Sequence, residues 1–204
     1  MRFVGTCYRA HDPRWAFKPL SGDGAAIRGA RFNPKGIPAL YLGLSIMTAI
    51  KEANQGFAHR IDPCVLCSYE IDCEDIADLT TEQGRREHAV ERDELACAWA
   101  GALAEGDRPA SWSVHDRLKA RGIAALRVPS FAPGAEADDL NLVLWRWGPD
   151  LPIAPALITA GQFGCGMTGL AEPQGAAWLP SCCAVNCWLI ERSARFAWLA
   201  LPIA

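Results

Sequence analysis

Gly29-Ala30-Arg31-Phe32-Asn33-Pro34-Lys35-Gly36, followed by Ala39-Leu40-Tyr41-Leu42-Gly43-Leu44-Ser45, is the stretch on which the fold class turns. The first eight residues are turn-formers around two cations, and they close a Gly- and Pro-rich segment from Ala10 to Pro38 that reads as one long irregular loop. The run Ala39–Leu44 is short and apolar, the pattern of a buried strand. Ser45 stands where an N-cap belongs and opens a helix from about Ile46 to Gln55, closed by Gly56. At helical spacing, positions 45, 49, 52 and 56 share a face. Glu52 therefore lies on the face of its own cap, and Ala49 and Ala53 leave room beside it.

Working outward, Phe3–Arg9 alternates well enough for a first strand, and Pro63–Ile71 reads as another. Glu82–Leu103 is charged early and Ala-rich later, which suggests one or two helices. Ser111 or Ser113 is placed to cap a helix with Val114 and Leu118 on one face, ended by Gly122. Ile123–Val128 and Leu140–Trp147 are strand candidates around the loop Pro129-Ser130-Phe131-Ala132-Pro133-Gly134. The expectation is an α+β domain over residues 1–150, with a mixed central sheet and flanking helices.

The 204 residues suit one domain with an appendage, and 50% apolar content supplies a sizeable core. A net charge of -3 gives no electrostatic reason to expect nucleic acid, so an anionic ligand has to be held by a few placed cations. The N-terminus has no long apolar region of the secretory kind, and the nine cysteines are irregularly spaced. Both point to reduced thiols in a cytoplasmic protein. From Leu151 to Ala204 only Glu172, Glu191, Arg192 and Arg195 are charged. That apolar C-terminal extension is an extra layer, a partner-binding surface or a reading-frame artefact. Within it, Leu151–Ala171 lacks charge but carries two prolines, Gln162 and four glycines, which argues against a membrane span.

Five short pieces recur in a telling order: Cys7-Tyr8-Arg9, Gly29–Pro34, Ala39–Leu42 leading through Ser45 to Glu52, Val128-Pro129-Ser130, and Asn141-Leu142-Val143-Leu144. This series resembles the RES-domain family, named for Arg, Glu and Ser residues, over roughly residues 5–147. The resemblance implies a fold similar to ADP-ribosyltransferase toxins and a pocket for NAD. It implies the toxin of a toxin–antitoxin pair, whose partner antitoxin carries a DNA-binding helix-turn-helix and covers the active site. Some members resemble enzymes that degrade NAD by phosphorolysis or hydrolysis, and others attach ADP-ribose to a protein target.

The residue chemistry suits that role. Guanidinium groups grip phosphate oxygens through paired donors, which makes Arg9 and Arg31 candidates for the pyrophosphate of NAD by their position in the family pattern. Breaking the nicotinamide–ribose bond builds oxocarbenium character on the sugar, and Glu52 is the carboxylate to stabilise it. Tyr41 offers a flat ring for nicotinamide or ribose. Ser130, on a Pro-flanked loop, is a donor for a phosphate or ribose oxygen. Arg31, Glu52 and Ser130 are thus the expected catalytic set, and Arg9, Arg31 and Tyr41 the expected NAD-binding set. Singly, each has an ordinary reading as a strand end, a core tyrosine or a solvated glutamate.

Three other patterns carry less. Gly164-Cys165-Gly166-Met167-Thr168-Gly169 matches a dinucleotide fingerprint, but Pro173, Gly175 and Pro180 break the helix that has to follow. Cys64-Val65-Leu66-Cys67 has redox spacing inside a strand, where buried free thiols are the better reading. Cys182, Cys183 and Cys187 lack a histidine at zinc spacing, so no metal is expected. An alternative of another class remains, a non-catalytic module that binds NAD or ADP-ribose or docks a partner through the extension.

Overall fold

The computed structural model describes residues 1–15, 17–54 and 64–148, together with the backbone of two strands over 156–159 and 186–190. In chain order the strands are β1 (Phe3–His11), β2 (Leu40–Gly43), β3 (Cys64–Cys73), β4 (Ile76–Asp78), β5 (Ala125–Pro129), β6 (Leu140–Leu144), β7 (Ala156–Thr159) and β8 (Asn186–Ile190). The helices are α1 (Asp23–Arg28), α2 (Ile46–Ala53), α3 (Glu82–His88), α4 (Arg92–Ala96), α5 (Trp99–Glu105) and α6 (Ala110–Ala120). One sheet runs β4-β5-β6-β2-β1-β3-β7, with β8 sharing the same edge of β3 as β7. The β4–β5 pair is parallel and the others are antiparallel, so the sheet is mixed and the fold is α+β.

Register explains where the core sits. Leu40 lies opposite Leu144, itself opposite Ala125, whereas Tyr41 lies opposite Val143, itself opposite Leu126. Opposed residues share a face and successive residues alternate. Leu40, Leu42, Leu142 and Leu144 therefore join Cys7, Tyr69 and Ile71 on one side. Val143, Leu126 and Val128 fill the other side with Phe32, Leu79, Leu95, Val114 and Leu118, beneath the helices. Gly43 lets α2 press onto this second face, since a Cβ there would stand 2.7 Å from the Ala49 backbone nitrogen.

Several local expectations need correction. Ala10–Pro38 is not one irregular loop: β1 extends to His11, a single 3-10 turn spans Pro13–Trp15, and α1 follows. Helix α1, with Gly22 as its N-cap and Gly24 in its first turn, is held from outside by Gly36 N–H and Asn33 Nδ2 donating to the carbonyls of Ala26 and Ala25. Glu82–Leu103 forms three short helices rather than one or two. Ser45 caps α2 through its hydroxyl, accepting from Thr48 N–H at 3.0 Å, but the helix ends at Asn54 and not at Gly56. Neither Ser111 nor Ser113 caps α6. The helix begins after Pro109, and Ser111 is buried inside it. Among the described cysteines, Cys7, Cys64 and Cys73 are buried free thiols, Cys67 is buried with its sulfur 3.4 Å from His11 Nε2, and Cys97 is half-exposed. Burial pushes the Cys7 and Cys73 thiols up to about 12. The GxGxxG match at 164–169 lies outside the described residues, as do Cys182 and Cys183. Among the described residues no helix is long and apolar enough to cross a membrane.

The turn that carries Arg31 is secured by side chains. The Ala30 carbonyl accepts from Trp112 Nε1 (2.8 Å), that of Arg31 from the Ser111 hydroxyl, and that of Phe32 from Trp145 Nε1 (3.0 Å). Tyr41 Oη accepts from Phe32 N–H at 3.0 Å and donates to Asn33 Oδ1 at 2.8 Å. Asn33 is fully buried and its amide also serves the carbonyls of Ala25, Pro34 and Ile37. Gly29, at φ +73°, admits the Trp112 ring, which a Cβ would meet at 2.7 Å. Buried polar groups stripped of partners cost about 1–3 kcal/mol each. Asn33→Ala is therefore expected to destabilise the protein by about 2–4 kcal/mol in urea unfolding. A change below about 0.5 kcal/mol would show that the turn does not need this anchor.

Candidate active site

Strands β1 and β2 are neighbours, yet only Tyr8 and Gly43 form a registered pair. Beyond that pair β1 runs on with β3, and β2 with β6, so the sheet forks. A cavity of about 260 Å³ occupies the fork. It is lined by Tyr8, Arg9 and Ala10 from one limb and Tyr41, Leu42 and Gly43 from the other, with Arg31, Glu52, Trp99, Phe131 and Asn141 around them.

Glu52 projects from the last turn of α2, and its position is set by two donors on one oxygen. Ser130 Oγ donates to Oε1 at 2.6 Å, and Asn141 Nδ2 donates to the same atom. Ser130 is nearly buried, and its hydroxyl also accepts from Ala132 N–H at 3.2 Å. Its single proton is thus directed to Glu52 in this structure, and its contact with a ligand would be indirect.

Arg31 reaches across the cavity wall. Its Nη1 donates to the carbonyls of Leu95 (3.1 Å) and Cys97 (2.7 Å), and its guanidinium lies 4.6 Å from the centre of the Phe131 ring. Burial lowers its pKa, and the fields of Cys97 and Glu52 oppose that shift. An arginine remains charged through such changes. Tyr41 presents its ring to the cavity while its hydroxyl is committed to the Arg31 turn, and burial raises the phenol pKa.

Arg9 is used differently from Arg31. Alternation along β1 sets it on the Cys7 side of the strand, and its Nη1 donates to the carbonyls of Pro19 (3.2 Å) and Ser21 (3.0 Å). It lines the fork but also moors the segment before α1. The fold thus gathers Arg9, Arg31, Tyr41 and Glu52 around one cavity, and Ser130 meets it only through its bond to Glu52.

Other residues of the site had no role assigned from sequence. Asn141 sits in phase with Val143 on the Tyr41 face, and a polar residue in that apolar run was the available signal. Asp139 gave none, because it follows Asp138 in an ordinary polar loop. Its carboxylate accepts from Thr48 Oγ1 (2.7 Å), Lys51 Nζ (2.6 Å) and Glu136 N–H (2.7 Å), while its carbonyl accepts from Ser130 N–H at 2.7 Å. It ties α2, which carries Glu52, to the loop that carries Ser130. Among the described residues no three His, Cys, Asp or Glu side chains group as metal ligands would.

Comparison with known proteins bears on this arrangement. A family model described as RES domain matches residues 6–163. No curated relative matches the chain. A solved structure described as "Crystal structure of the M.tuberculosis MbcT-MbcA toxin-antitoxin complex" is similar at 24% identity and a TM-score of 0.47, covering 71% of this chain and 75% of that one.

The Asp139 cluster has a pH signature. Glu136 N–H, Lys51 and Thr48 together hold its carboxyl down to about 2. A carboxylate with a depressed folded-state pKa stabilises above its unfolded value, near 3.9, and loses that contribution as pH falls through the folded value. Wild-type stability is therefore expected to fall between about pH 4 and about pH 2. Asp139→Asn should be less stable than wild type at neutral pH and show a flatter acid limb. Parallel acid profiles for the two proteins in denaturant unfolding would remove Asp139 from this role.

Proposed function

The chain belongs to the RES-domain family, and from that membership we propose that it is the toxin of a toxin–antitoxin pair, acting in the cytoplasm by cleaving the nicotinamide–ribose bond of NAD. The observation that carries the proposal is the Glu52 carboxylate, aimed into the fork by Ser130 and Asn141 and sharing the cavity with Arg31. When the N-glycosidic bond breaks, nicotinamide leaves with the bonding electrons and positive charge develops on the ribose. A carboxylate already oriented there stabilises that charge without reorganising at the moment of reaction. Arg31, anchored through Nη1, offers its guanidinium to the pyrophosphate, and the Tyr41 ring gives the ribose or nicotinamide a flat wall. Arg9 supports the pyrophosphate from the rim of the fork. Ser130 acts through Glu52.

Water, phosphate or a protein side chain then bonds to the ribose carbon, which yields hydrolysis, phosphorolysis or ADP-ribosyl transfer to a protein target. The partner is a cognate antitoxin with a helix-turn-helix DNA-binding domain. Exposed Trp15 and Phe17, on the segment that Arg9 moors, and Ile27 in the following helix α1 are apolar surface that such a partner would cover. The segment from 151 onward is read as an apolar extension to a catalytic domain over 1–150.

The test is nicotinamide release from NAD by purified protein, with phosphate present and absent. Glu52→Gln is expected to lower turnover by about 100-fold or more while leaving NAD affinity within a few-fold. Arg31→Ala is expected to weaken NAD binding by about 2–3 kcal/mol. Phosphate dependence identifies phosphorolysis, and label from NAD retained on a protein band identifies transfer. A wild type that binds NAD, releases no nicotinamide and transfers no label would be a binding module instead.

A further inference from the structure

Indole N–H groups within a fold usually find an acceptor, and among the described tryptophans three do so while Trp15 and Trp99 do not. Trp112, Trp145 and Trp147 donate to the carbonyls of Ala30, Phe32 and Leu20 at 2.8, 3.0 and 3.0 Å. Trp15 lies open to solvent beside Phe17. Trp99, in the first turn of α5, is half-buried on the wall of the active-site cavity. Among the described residues its indole N–H has no acceptor, and its ring packs on no other aromatic side chain. A large flat apolar surface with an idle donor is held facing the fork.

Its place relative to the chemistry can be followed contact by contact. Glu52 bonds Ser130, and Phe131 is the next residue. The Arg31 guanidinium lies over the Phe131 ring, and its Nη1 reaches the Cys97 carbonyl. Trp99 begins at that carbonyl, to which its own backbone N–H donates at 2.8 Å. Arg31 is thus linked both to the loop that bonds Glu52 and to the backbone that carries Trp99, and all three residues line the cavity. The cavity, at about 260 Å³, is smaller than the roughly 300–1,000 Å³ of pockets that enclose drug-sized ligands, so a dinucleotide would extend along the walls.

We propose that Trp99 is the platform on which the adenine base of the dinucleotide stacks. The inference rests on the reading of this site as an NAD site, with Glu52 at the nicotinamide ribose and Arg31 at the pyrophosphate. The unit beyond the pyrophosphate is then adenosine, and Trp99, on the same cavity wall and joined to Arg31 through the Cys97 carbonyl, is the flat side chain offered to it. Base-on-indole stacking needs no particular hydrogen-bond code, and the idle N–H is available to a ring nitrogen or a sugar hydroxyl.

The experiment is calorimetric titration of the full chain with ADP-ribose and with nicotinamide mononucleotide, which lacks the adenosine. Trp99→Ala is expected to weaken ADP-ribose binding by about tenfold or more. Trp99→Phe should retain most of the affinity, and nicotinamide mononucleotide should bind all three proteins alike. Unchanged ADP-ribose affinity in Trp99→Ala overturns the platform, and so does an equal loss for both ligands. A wild type that binds neither ligand overturns the NAD reading itself, and the platform with it. Binding of both by wild type with no selective loss in Trp99→Ala sinks the platform alone.

Discussion

The turn at residues 30–33, between α1 and β2, closes on itself only through the backbone hydrogen bonds that Ala30 and Asn33 exchange, and its other polar groups need partners from elsewhere in the chain. Side chains supply those partners, with two indole N–H donors and one hydroxyl on three successive carbonyls. Those donors come from α6 and from the end of β6, at sequence separations of 80 to 113 residues. The helical layer, the sheet and the Arg31 turn are thereby locked to one another, because loss of the Ser111 hydroxyl or the Trp145 indole leaves the Arg31 or Phe32 carbonyl without its donor. Tyr41 and Asn33 complete the lock from β2 and from within the turn.

With that turn fixed, the fork between β1 and β2 acquires a rigid lip. Arg31 hangs from the turn on one side, α2 brings Glu52 from the other, and the β5–β6 loop supplies the donors that aim the carboxylate. Asp139 joins the last two, taking hydrogen bonds from α2 through Thr48 and Lys51 while its carbonyl holds the Ser130 backbone. The site is therefore supported by residues that do not line the cavity. Preorganisation of this kind lets a carboxylate act on developing charge without moving.

The sheet was legible where strands are apolar runs or alternate cleanly, as in β1, β2, β3 and β6. It was not legible at β4, where Ile76 and Ala77 are too few apolar residues to make a pattern and the strand exists through parallel pairing with β5. Nor was α1, whose composition favours a loop and whose helical turn is held by Asn33 and Gly36. In the site, Arg31, Tyr41, Glu52 and Ser130 were visible through their joint order along the chain. That Ser130 and Asn141 converge on one oxygen of Glu52 was not visible. Partners 78 and 89 residues apart leave no periodicity to read. Trp99 was invisible for a related reason, since an aromatic residue opening a short helix looks like core until its ring is seen to lack a partner.

The central strand β2 pairs with β6, so Leu40 finds Leu144 only after most of the described chain exists. On a ribosome, a nascent chain would carry Arg31 and Glu52 early while the strand and loop that aim them were still unmade. The arrangement around Glu52 would then arrive late and all at once, when residues 130–145 emerge and β6 docks between β5 and β2. A truncation anywhere before Asn141 would leave the carboxylate without one of its two guides.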